Sequence, residues 1–162
     1  MSSKLIFIIA IALALFFILK PGPYDRELHF NNAIYTHVKK VSGGDIANYF
    51  YTVDQKDIAT ANDFIQIIEF KEETSTSNWA KYLNPLLGRY KLKPIEGKSA
   101  LIMFGSLNIG SSKANSYATP ITIKGQEHFI IHVSIIANSD QPPKPYEISQ
   151  HINALEYLGT QF

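Results

Sequence analysis

VDQKDIATANDFIQIIEFKEE, residues 53–73, decides how much of this chain is sheet and how much is helix. Asp54 can act as an N-cap, with Asp57 three residues on completing an approximate capping box. Ile58, Ala61, Ile65 and Ile68, with Phe64 beside them, recur at helical spacing. The pattern predicts an amphipathic helix between two β-rich regions.

Upstream, NAIYTHVKKV and IANYFYTV, residues 32–41 and 46–53, flank Ser42-Gly43-Gly44-Asp45. Gly-Gly between alternating runs predicts a hairpin. Ile34, Thr36 and Val38 would share one strand face, and Tyr35, His37 and Lys39 the other. Downstream, a helical piece starts near the Ser/Thr cluster at 74–77 and uses Trp79, Leu83, Leu86 and Leu87. Pro85 predicts a break or restart after Asn84, and Gly88 closes the helix.

RYKLKPIEGK (89–98) reads as extended and leads into a strand over SALIMFGSL (99–107). NIGSSKANS (108–116) reads as a loop, followed by a hairpin over 119–137 that turns near Lys124-Gly125-Gln126. After the proline-rich NSDQPPKP, a last helix from Pro145 to about Leu158 buries Ile148, Ile152, Leu155 and Leu158. The expected fold is therefore α+β: a mainly antiparallel sheet of about five strands with two or three helices on one face, preceded by one N-terminal transmembrane helix.

That last expectation rests on Leu5–Leu19, fifteen apolar residues between Lys4 and Lys20. The run is short against the ~20 residues that span a bilayer and fits a signal sequence by length. No small-x-small cleavage site follows it, and Lys20-Pro21-Gly22-Pro23 ends it abruptly. Snorkelling lysines would extend the usable span, which favours a retained signal-anchor over a cleaved leader. The expected organisation is an anchor over 1–20, a linker over 21–32 and a globular domain over 33–162, the last outside the cytoplasm.

Composition narrows function mainly by exclusion. Lys4 and Lys20 are two of the 15 basic residues, so the body sets 13 against 14 acidic ones. A near-neutral body lacks the field that nonspecific nucleic-acid binding needs. The chain has no cysteine, which removes thiol nucleophiles, thiolate metal sites and disulfides. No cofactor is expected.

GSLNIGSSK (105–113) has the glycine spacing of a phosphate-binding loop, but Ser111 stands where the lysine belongs and strand follows. His128 and His132 lie on one strand face about 13 Å apart, too far to share an ion, and are expected to be partly exposed. His37 and His151 have no partner at ligand spacing. Glu69, Glu72 and Glu73 read as a solvated helix end. No nucleophile motif or metal site is expected. The remaining candidate is a basic strip, Arg89, Lys91 and Lys93, one face of an extended segment suited to an anionic partner. The functional expectation is a membrane-anchored, non-enzymatic interaction module of the cell envelope, with an envelope protein as candidate partner. The alternative is an exported enzyme or small-ligand binder.

Overall fold

The computed structural model of the chain describes residues 22–71, 76–109, 112–136 and 143–162. Eight antiparallel strands form one sheet: β1 (Leu28–Phe30), β2 (Ala33–Gly43), β3 (Ile46–Val53), β4 (Asp63–Phe70), β5 (Lys93–Pro94), β6 (Met103–Ile109), β7 (Ser112–Ile123) and β8 (Gln126–Ile136). Helix α1 (Thr76–Tyr90) follows β4, and α2 (Pro145–Leu158) follows β8, ending in a 3-10 turn over Gly159–Gln161. The sheet order is β1-β2-β3-β4-β8-β7-β6-β5. Two meanders, β1–β4 and β5–β8, thus meet at the β4–β8 pair, where Phe64 lies opposite Val133.

The sheet curls around α2. This helix touches both β1 and β7, five strand spacings apart in the sheet order. A flat sheet would separate them by about 24 Å, twice a helix diameter, so the strands must wrap into a half-barrel. Inside sit Leu28, Tyr35, Tyr51, Ile65, Ile130 and Leu155, all fully buried. A second core lies on the convex face, where Leu83 and Tyr90 of α1 cover Phe64, Ile68, Phe129 and Ile131. The edges are short: β5 has two residues, and the Gln161 amide bonds both the N–H and the C=O of His29 on β1. That side chain occupies the place of a further strand, which blunts edge-to-edge pairing.

The expected α+β fold is corrected on several points. There are eight strands instead of about five, and the two helices lie on opposite faces of the sheet. The largest change falls on 53–73. Asp54 and Gln55 adopt positive φ in a turn, and Asp63–Phe70 is the central strand β4. Phe64, Ile65, Gln66, Ile67 and Ile68 are all buried, because each face of β4 carries its own core. A strand covered on both faces loses the alternation that would announce it.

No helix among the described residues is long and apolar enough to cross a membrane. The expected transmembrane helix and signal-anchor over 1–20 find no counterpart there, and those positions lie outside the described residues. Within 21–32, Tyr24 is buried and Leu28–Phe30 forms β1.

The two hairpins turn where glycine predicted, with Gly43 opposite Ile46 and Ile123 opposite Gln126. The stretch read as a loop over 108–116 lies largely in strands: Asn108 pairs with Lys113, and Asn115 and Ser116 are buried in β7. α1 neither breaks nor restarts at Pro85, which stands inside the helix.

Candidate functional site

Two devices shape the convex face. The first is a β-bulge in β2, where the register shifts between His37 and Lys39. Before the bulge, odd-numbered residues point into the half-barrel: Tyr35 is buried there, and His37 rests against Tyr51. The extra residue reverses that alternation. Lys40 then lies over the Tyr49 ring inside, while Lys39 and Val41 emerge on the convex side. The expected face shared by Tyr35, His37 and Lys39 is therefore split by the bulge.

The second device is the end of α1. Gly88 does not close the helix; it continues to Tyr90, and Lys91 takes the left-handed conformation at φ +53°. The Leu92 N–H reaches back to the Leu87 carbonyl at 3.0 Å, the long bond of a Schellman cap. Glycine is the ordinary residue at that position, and a lysine there costs on the order of 1 kcal/mol. Gly105 of β6 lets this cap lie directly on the sheet, since a Cβ there would stand 2.5 Å from the Lys91 carbonyl oxygen.

The cap decides the fate of the basic strip. Arg89 is helical, Lys91 left-handed and Lys93 in β5, so the expected extended alternation is absent. The three cations nonetheless come together. They line an open depression of about 710 Å³ whose floor includes Phe104, Gly105, Ser106 and Asn108.

A second cavity, about 620 Å³, opens on the other side of Arg89, between α1 and strands β2–β4. Its walls are largely apolar, with Phe50, Ile58, Phe64, Pro85 and Leu86 among them. Its polar part is an ordered chain. The Tyr90 hydroxyl donates to Gln66 Oε1 at 3.1 Å, and Gln66 Nε2 donates to Asn48 Oδ1 at 2.8 Å. With Oδ1 taken, Asn48 presents its Nδ2 donors to the cavity. Burial pushes the Tyr90 phenol upward, and the Arg89 guanidinium beside it pulls the other way.

The concave face holds the histidines, and there the structure differs from expectation. His128 and His132 are buried, not partly exposed. His132 Nε2 lies 2.9 Å from Asp63 Oδ1, and His132 Nδ1 lies 2.8 Å from His151 Nε2. Asp63 also accepts from Tyr35 and Ser134, at 2.7 and 3.0 Å. The carboxylate accepts at every contact, so His132 carries its proton on Nε2 and accepts at Nδ1 from His151. The result is one directed chain, His151 to His132 to Asp63. Burial raises the Asp63 carboxyl, but hydrogen bonds from His132, Tyr35 and Ser134 bring it below the ordinary value.

His128 and Glu69 share a second network. The Tyr24 hydroxyl lies 2.6 Å from His128 Nε2 and 3.2 Å from Glu69 Oε1, and Tyr49 donates to Glu69 Oε2 at 2.7 Å. His128 Nδ1 is 3.0 Å from the Gln126 carbonyl, to which it donates. Burial holds the His128 pKa down, so the ring is neutral and Nε2 accepts the Tyr24 proton. Glu69 thus belongs to the interior of β4, not to a solvated helix end; Glu72 and Glu73 lie outside the described residues.

His37 and His151 have partners after all, Asp25 at 3.3 Å and His132, at sequence distances no local pattern reveals. Among the described residues, no three His, Cys, Asp or Glu side chains converge as metal ligands. The aromatic rings of Phe30, Tyr117 and His151 pack around His132, and no described cavity opens onto it.

Burial above all, with the repulsion the two rings would feel were both protonated, pushes His151 down from 6.5 to about 3. The unfolded chain therefore takes up a proton below pH 6.5 that the folded chain refuses. Stability falls as pH drops from 6.5 toward 3. His151→Gln can keep an N–H donor for His132 Nδ1 without titrating. It should remove on the order of a few kcal/mol of the stability lost between pH 6.5 and 4, read from urea midpoints across that range. An unchanged pH dependence would count against the buried neutral imidazole.

The chain matches no family model, no curated protein and no solved structure.

Proposed function

We propose that the domain is a non-enzymatic interaction module of the cell envelope, which engages an acidic partner protein through Arg89, Lys91 and Lys93. The observation that carries this reading is the convergence of the three cations on one depression from helix, cap and strand. The filled concave face weighs against the alternative of hydrolytic chemistry at His132, because a substrate would have to displace packed aromatic rings. The membrane-side location, with the body outside the cytoplasm, rests on the apolar run Leu5–Leu19 and its flanks. Proximity to a membrane lets weak contacts suffice through effective concentration.

A photocrosslinking residue at position 93 of the full chain, expressed in cells, tests the reading. A defined adduct with one envelope protein is expected, its yield falling several-fold as salt rises from about 0.05 to about 0.5 M. K91E/K93E should abolish it with the melting temperature unchanged. Recovery of the intact chain only as a monomer, or an adduct indifferent to K91E/K93E, would retire the proposal.

A further inference from the structure

The 620 Å³ cavity between α1 and β2–β4 has the size and lining of a small-molecule site, and its chemistry is one-sided. Ligand pockets run to about 300–1,000 Å³ and combine apolar walls with a few placed polar groups. Here the groups that reach the cavity mouth are donors: the Lys39 ammonium, the Arg89 guanidinium and the Asn48 amide N–H₂. None of the described lining residues is acidic. We propose that this cavity binds a small amphipathic anion, a single apolar chain ending in a carboxylate, phosphate or sulfate group.

Three features make the cavity a built site and not a surface irregularity. The β2 bulge carries Lys39 across the sheet; in regular register it would point into the half-barrel. Gln66, only 3% exposed, stands on a central strand between Ile65 and Ile67 and is held at both ends of its amide. A buried amide that served packing alone would be replaceable by an aliphatic side chain; this one fixes which end of Asn48 faces the cavity. Pro85 is tolerated inside α1 although it forfeits a helical hydrogen bond, and it forms part of the apolar wall. The bound chain lies along Phe50, Ile58 and Leu86, and the anionic head meets Lys39 and Arg89 at the mouth.

The basic depression shares Arg89 with this cavity but not Lys39 or Asn48, so the two sites can fail separately. The test is calorimetric titration of the full chain with monomeric decanoate, decyl sulfate and decyltrimethylammonium, each below its micelle concentration. Decanoate and decyl sulfate should bind and the cation should not. Octanoate should bind about sixteenfold more weakly than decanoate, at about fourfold per methylene. K39Q/R89Q alters two exposed side chains and should weaken decanoate at least tenfold at unchanged melting temperature. Ile58→Trp should fill the space and abolish binding, whereas K91E/K93E should leave it intact. Equal binding of the cationic surfactant, unaltered decanoate affinity in K39Q/R89Q, or binding to anionic vesicles but not to monomeric decanoate would each overturn the proposal.

Discussion

Asp63→Ala is expected to destabilise the domain by about 3–5 kcal/mol, while Asp63→Asn costs about 1–2 kcal/mol. The carboxylate gathers three donors, His132 Nε2–H and the hydroxyls of Tyr35 and Ser134, and two of these residues are almost wholly buried. Alanine leaves all three facing an apolar gap, each costing about 1–3 kcal/mol, offset where water enters beside the partly exposed position 63. Asparagine keeps Oδ1 for His132 and Tyr35. Its new amide N–H₂ meets Ser134, whose hydroxyl rotates to accept. What asparagine removes is the charge, so the acid-side loss of stability due to Asp63 should vanish. That loss arises because a depressed carboxyl favours folding above its unfolded pKa and ceases to do so as pH falls through the folded one. Urea unfolding of both variants at pH 7 and across about pH 5 to 2, where an Asp with a lowered pKa loses its contribution, reads all of this. Equal losses for alanine and asparagine would mean that Asp63 acts by charge, not as a shared acceptor.

Gly105→Ala is expected to cost about 3 kcal/mol and to disturb both convex-face cavities. The added Cβ would lie 2.5 Å from the Lys91 oxygen and 2.6 Å from the Tyr90 oxygen. Both are backbone atoms in a closed cap, so no side chain can swing aside; Tyr90 and Leu92, buried in the convex core, hold the segment down. Relief requires α1 to lift from β6, opening packed surface. Gly88 provides the control. It is helical, and a methyl added there would meet nothing within 4 Å, so Gly88→Ala should stabilise by about 0.5–1 kcal/mol. Paired melting curves decide the matter: if the two alanines have similar effects, close approach at Gly105 is not what holds the cap.

The parts of this fold legible in the sequence are those whose signals are local. Gly43-Gly44 and Lys124-Gly125 turn because glycine accepts the positive φ found at Gly44 and Gly125, and α2 begins at Pro145, where a missing N–H is harmless. β4 was obscured by its own burial: Ile65 and Ile68 fall at helical spacing only because both faces of this central strand carry apolar residues, five of its eight positions. β7 was obscured for the opposite reason, since Asn115, Ser116 and Thr119 look like loop residues yet are buried within the ladder. Arg89, Lys91 and Lys93 could be singled out as a cluster by composition. Their geometry depended on a left-handed lysine, which no propensity favours. The Asp63–His132–His151 chain joins positions 69 and 19 residues apart and leaves no periodic trace.

The seam between β4 and β8 also orders events during folding. Within each meander, strands pair with near neighbours, as Gly43 does with Ile46. Phe64 and Val133 must meet across 69 positions, which adds about 3 kcal/mol of loop-closure entropy for a bare chain relative to a hairpin. The economical route is for β5–β8 to assemble first, which shortens the effective loop before the seam zips. Until then β4 and β8 each carry an open edge flanked by Ile65, Ile67, Ile130 and Ile131. The two strands richest in isoleucine are thus the last to be covered, and the interval before they find each other is when a second chain can take the place of either.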